Sequence, residues 1–166
     1  MTVRLWTRRR RVPAHWAGLA AGAAGTTALN AVTYLDMALF ARPSSTTPED
    51  TVRKAEDLAG VSLSREGSDS EQAGNRRSGI GALLGIAAGL GTGAAYALAH
   101  PALRRLSLPV RGLAAGLAAN VGSTAPMTVL GVTDPRRWPA SSWVQDLIPH
   151  LTYGLVTAAV YEALRG

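Results

Sequence analysis

Asp146, His150, Tyr153, Thr157 and Tyr161 follow one another at steps of four, three, four and four, so in a helix they share one face. A carboxylate and an imidazole one turn apart in an apolar stretch can form an acid–base pair, relay protons or bind a divalent cation. Asp36 and Asp134 are the further carboxylates expected at the same level. A plainer reading needs no site: Asp146 accepts a hydrogen bond near a helix start and His150 bonds a neighbouring carbonyl. Two groups four apart also fall short of a full ligand set. Asp146 and His150 are therefore the candidate catalytic pair, and neither a metal nor a cofactor is expected. The chain has no cysteine, which excludes a disulfide framework, a thiol nucleophile and a thiolate metal site. It also lacks a nucleotide-binding glycine loop, HExxH and GxSxG, the signatures that would point to a particular enzyme chemistry.

A second set of polar residues lies in two other apolar stretches: Thr26, Thr27, Asn30 and Thr33, then Asn120, Ser123, Thr124, Pro126 and Thr128. Such side chains line a pore or tie helices together, and the second role is the commoner one, at about 0.6–2 kcal/mol per bond. Asn30, Asp36, Asn120, Tyr153 and Thr157 are the polar groups expected inside the helices. His15, His100 and Glu162 fall close to helix ends, within reach of interfacial water, and receive no special role.

The elements that carry these residues are dominated by small side chains. Gly81, Gly85, Gly89 and Gly93 recur every four residues within the run from Ile80 to Ala99, so one helix face is bare backbone. In water each glycine costs a helix about 1 kcal/mol relative to alanine, whereas lipid offers the backbone no competing partner. The pattern is a glycine-zipper packing face, and Gly112 and Gly116 continue the theme. A single Phe leaves little bulky material for a water-driven core. The expected fold is all-α and integral to a membrane, with four transmembrane helices over about 14–40, 78–100, 110–132 and 142–164. A basic tail (1–13) precedes this 14–166 domain, and a polar outer loop covers 41–77.

Charge sets the expected orientation. The net charge is +6, and Arg8, Arg9, Arg10 and Arg11 form a run just before the first apolar stretch. This favours a topology signal touching anionic lipid over nucleic-acid binding. With Arg104, Arg105, Arg111 and Arg165 on the same side, both termini are expected in the cytoplasm of a bacterial inner membrane. Within the loop, Thr47-Pro48-Glu49-Asp50 reads as a helix start with Thr47 as cap. Val52, Ala55, Leu58 and Ala59 read as its apolar stripe and Gly60 as its stop. The stretch 62–75, rich in Ser, Gly, Glu and Gln, reads as a flexible connector.

An internal repeat supports a two-hairpin plan. Gly18-Leu-Ala-Ala-Gly22 returns as Gly112-Leu-Ala-Ala-Gly116, and Gly89, Leu90, Thr92, Ala94 and Tyr96 match Gly154, Leu155, Thr157, Ala159 and Tyr161. The copies are expected as parallel repeats about an axis along the membrane normal.

The stretch from Gly112 through Pro126-Met-Thr-Val-Leu-Gly-Val-Thr-Asp-Pro135, Trp138-Pro139 and Asp146 to His150 and Gly154 resembles the YagU-like small bacterial inner-membrane proteins. It departs from them in Asp134 and in the long first loop. The resemblance implies an uncharacterised four-span protein, brings no catalytic residue, and singles out Gly131, Pro135 and His150. The expected function is a helix-packing or accessory membrane component, a homo-oligomer or the partner of another membrane protein. A small permeation unit and a membrane-embedded enzyme built on Asp146 and His150 are the alternatives.

Overall fold

A computed structural model describes residues 11–64 and 70–165; the arginines at 8–10 lie outside them. The described chain contains α1 (Ala14–Phe40), α2 (Thr47–Ala59), α3 (Ser70–Leu103), α4 (Leu108–Val129) and α5 (Ala140–Arg165), with a short 3₁₀ turn at Pro135–Arg137.

Among the described residues only α3 is both long and apolar enough to cross a membrane. That overturns the expected four transmembrane helices, the four-helix transmembrane bundle and the arrangement in two repeated hairpins. The reason is composition. Helices α1, α4 and α5 have 27, 22 and 26 residues, enough to span about 30 Å at 1.5 Å per residue. Their apolar positions, however, are mostly weakly apolar Gly and Ala. Thr26, Asn30 and Asp36 interrupt α1, Arg111 and Asn120 interrupt α4, and Asp146, Glu162 and Arg165 interrupt α5.

The four long helices pack in the order α3, α1, α5, α4, with little direct packing of α3 on α4 or α5. Neighbours in this order run antiparallel. Gly18 faces Ala97 and Thr26 faces Gly89, while Gly112 faces Leu155 and Gly116 faces His150. The start of α1 meets the end of α5, where the Val12 amide donates to the Leu164 carbonyl at 3.3 Å. Both ends of the described chain therefore lie at one end of the bundle.

Glycine makes these approaches possible. A Cβ on Gly22 would stand 2.6 Å from the Gly89 carbonyl oxygen, and one on Gly116 would stand 2.6 Å from that of His150. On α3 the zipper works at Gly89 and Gly93 against α1 and at Gly81 against Pro48 of α2; Gly85 faces open space.

The repeat survives as two helix pairs, α1 with α3 and α4 with α5, but not as a two-fold bundle. Helix α1 packs closely on α5, and the equivalent packing of α4 on α3 is slight. Gly25 of α1 receives Tyr153 and Thr157, and a Cβ there would sit 2.8 Å from the Tyr153 ring. The repeat places Ala119 at the position of α4 that matches Gly25, and Ala88 at the position of α3 that matches Tyr153.

Helix α2 begins at Thr47 and stops at Gly60, whose φ of +64° makes it a left-handed cap. Its cap residue is Thr46, without a side-chain bond, and its buried positions are Val52 and Glu56. The stripe through Ala55, Leu58 and Ala59 faces outward. Glu56 instead ties the helix to α3: Arg77 Nε donates to it at 2.5 Å and the Leu63 amide at 2.7 Å. Arg76 donates to the Leu63 carbonyl at 2.9 Å. Leu63 is thus held in place, and α3 begins at Ser70 rather than at 78; residues 65–69 of the expected flexible connector lie outside the described residues.

The hydrogen bond from Arg77 holds the Glu56 carboxyl below its ordinary pKa, helped by the Leu63 amide. A lowered carboxylate pKa contributes stability that is complete above the unfolded-state value, about 4.3 for Glu. The contribution is lost as pH falls through the folded-state value. Amide exchange across 47–64 is expected to accelerate, at matched intrinsic rate, only on acidification below that range. Glu56→Gln should show the faster exchange already at neutral pH; unchanged exchange in that variant would remove Glu56 as the tether.

Candidate functional site

Asp146 and His150 lie in the second and third turns of α5, where α4 comes close because Gly112, Gly116 and Gly154 carry no side chain. Their partners are on α4. Asn120 Nδ2 donates to Asp146 Oδ2 and lies 3.4 Å from His150 Nδ1. Ser123 Oγ lies 3.2 Å from His150 Nε2 and donates to the Asn120 carbonyl at 2.9 Å. His150 Nδ1 is 2.7 Å from the Asp146 carbonyl and 3.6 Å from its carboxylate. Because a carbonyl can only accept, Nδ1 carries the proton, and in the neutral ring Nε2 is a bare acceptor aimed at Ser123.

The other expected carboxylates do not join this pair. Asp36 is held by Arg42 Nε at 2.5 Å. Asp134 accepts from the Arg136 side chain at 2.9 Å and from the Arg136 amide at 3.2 Å. The Arg136 guanidinium is the main cause that keeps the Asp134 carboxyl below its ordinary pKa. Among the described residues no group of three or more His, Asp or Glu is close enough to hold a metal ion, so the cation set of Asp36, Asp134, Asp146 and His150 is not assembled.

The polar face of α5 divides among three neighbours. Asp146 and His150 turn to α4, while Tyr153 donates to the Gly89 carbonyl of α3 at 2.7 Å. Thr157, fully buried, donates to the Ala21 carbonyl of α1 at 3.4 Å. A straight helix drifts about 20° per heptad against a strict seven-residue repeat, which brings successive members opposite different helices. Asn30 makes no interhelical hydrogen bond among the described residues; Asn120 does.

A second polar cluster escaped the sequence reading. Glu162 accepts from Arg111 Nη1 at 2.6 Å and pairs with His100 Nε2 at 2.6 Å. It thereby joins α5, α4 and α3 at the end of the bundle where the described chain starts and finishes. The Tyr161 ring lies 4.8 Å from His100 and meets Tyr96 edge to face at 5.4 Å. Arg111 Nε and the Tyr96 hydroxyl are buried without a partner. His100 and Glu162 therefore have a role after all, as the polar junction of three helices. The available signal was their opposite charge tendency near the ends of two helices that the repeat makes equivalent.

Fold and site together define an all-helical protein with one candidate membrane span and two interhelical polar clusters. No protein-family profile, no curated protein and no solved structure matches the chain.

Proposed function

We propose that the protein is a helix-packing, accessory component of a bacterial inner membrane, held there by α3 and assembled with a second copy or with another membrane protein. The observation that carries this reading is the state of α3. Only 17% of its most apolar 18-residue stretch is buried within the protein, whereas the core helix of a water-soluble protein would be mostly covered. Leu83, Leu84, Ile86 and Leu98 stand exposed along it, and the open side at Gly85 gives a partner helix close access. The zipper glycines Gly89 and Gly93 are already spent on α1. Arg104 and Arg105 follow α3, close to Arg11 and Arg165, and this basic end suits the cytoplasmic face and anionic lipid. A YagU-like kinship of the Gly112–Gly154 segment is part of the same proposal and rests on its motif order.

The chain should resist alkaline carbonate extraction from membranes. Single cysteines introduced into the cysteine-free chain at Ser78 and Ser107, on either side of the apolar stretch of α3, should react with an impermeant thiol reagent from opposite faces. Release by carbonate, or labelling of both positions from one face, would sink the proposal.

A further inference from the structure

The contact between Ser123 and His150 goes beyond a packing role. We propose that Ser123 is a nucleophile activated by His150, able to take the acyl group of an apolar carboxylic ester. Three features of the site support this. His150 is fixed in the tautomer a general base requires, because the Asp146 carbonyl holds the proton on Nδ1 at 2.7 Å and leaves the Nε2 lone pair 3.2 Å from Ser123 Oγ. The Asp146 carboxylate, aimed by Asn120, stands 3.6 Å from the same ring nitrogen, where it stabilises the imidazolium that forms when the ring takes a proton. Finally, the pair is reachable. Ser123 and His150 are half-buried rather than enclosed, and Gly122 beside Ser123 faces open space.

Helix α4 lies at one edge of the row of four long helices. Leu113, Leu117 and Val121 form an exposed apolar stripe along it, on a face turned away from Ser123, and give a hydrocarbon chain an apolar surface on the same helix. In the first step the Ser123 hydroxyl proton passes to His150 Nε2 as the Oγ–acyl bond forms. The ester C–O bond then breaks, and the same proton leaves with the departing alkoxide as an alcohol. Water next attacks the acyl-serine, giving one proton to Nε2. The carboxylic acid departs, and the proton returns to Ser123 Oγ. Before reaction the hydroxyl donates to the Asn120 carbonyl, and a rotation of the O–H about the Cβ–Oγ bond redirects it to Nε2.

The full chain, purified in detergent, is to be treated with a fluorescent fluorophosphonate, which phosphonylates activated serines. Labelling of the wild type is expected to map to Ser123 by peptide mass spectrometry. It should fall at least tenfold in Ser123→Ala and in His150→Gln, with size-exclusion profiles unchanged. Should His150→Gln fail to fold, Ser123→Cys supplies the second reading. Its thiol should alkylate with iodoacetamide along a pH profile whose midpoint lies below the free-cysteine value of about 8.5. Absence of labelling in folded wild type, labelling that survives Ser123→Ala, or equal labelling in His150→Gln would each overturn the proposal. So would an ordinary midpoint in Ser123→Cys.

Discussion

Leucine in place of Gly93 should separate α1 from α3 and cost the bundle more than any other single glycine replacement in α3. A Cβ at position 93 would already fall against the Gly18 carbonyl and the Gly22 backbone, and Gly18 and Gly22 each meet α3 backbone in return. The neighbours that would have to yield are main-chain atoms, which have no rotamer to change. Inserting single methylenes into a packed interior costs about 1–3 kcal/mol, and a leucine against backbone should exceed that range. Gly89→Leu should follow closely, although there the obstacle is the Thr26 side chain, which can rotate.

The same helix supplies the controls. Gly85 and Gly91 have nothing within 4 Å of a built Cβ, and Ala87 is exposed, so leucine at these positions should leave the monomer fold intact. Helical signal against denaturant, measured on the full chain in detergent, separates the two groups. If all five variants unfold alike, the α1–α3 crossing is not set by the glycines. If only Gly85→Leu loses oligomerisation while the fold persists, the outward face of α3 is the partner surface.

Periodicity made the faces of this protein legible but not their partners. The zipper interval put Gly89 and Gly93 on the face of α3 that meets Gly18 and Gly22 of α1, but also Gly85, which faces open space; Gly112 and Gly116 fall at the separate crossing of α4 with α5. The limits of α1 and the start and stop of α2 could be read because Pro48 and Gly60 act through local backbone geometry. What was misread depends on the rest of the chain. Four stretches of about twenty small residues looked equivalent in length, yet only α3 is apolar enough to cross a membrane. The repeat suggested symmetry, yet α1 packs closely on α5 while α4 barely meets α3, and the Gly25 and Tyr153 of the close contact have Ala119 and Ala88 at the matching positions. Asp146 and His150 were recognisable as a pair on one face. Asn120 and Ser123, expected to serve as helix glue, were not assigned to that pair, because nothing in a single chain says which of three neighbouring helices a face will meet.

Removing the Glu162 carboxylate should destabilise the bundle through the charge left behind. Arg111 is nearly buried on α4, with Nε already lacking a partner, and the carboxylate is its only anionic partner among the described residues. Breaking one side of a fully buried ion pair costs about 3–5 kcal/mol, chiefly because the surviving charge is stranded. The Glu162 side chain is 34% exposed, so water partly compensates, and Glu162→Gln should cost about 2 kcal/mol. Arg111→Met alone removes the buried charge while keeping an aliphatic stem in its place, and should cost less. If stranding is the mechanism, the double variant Arg111→Met with Glu162→Gln will be more stable than the sum of the single losses predicts, and more stable than Glu162→Gln itself. Simple additivity in denaturant midpoints would mean that the two side chains support the bundle separately. In that case α3 and α5 owe their cohesion at this end to the edge-to-face and tilted rings of Tyr96, Tyr161 and His100.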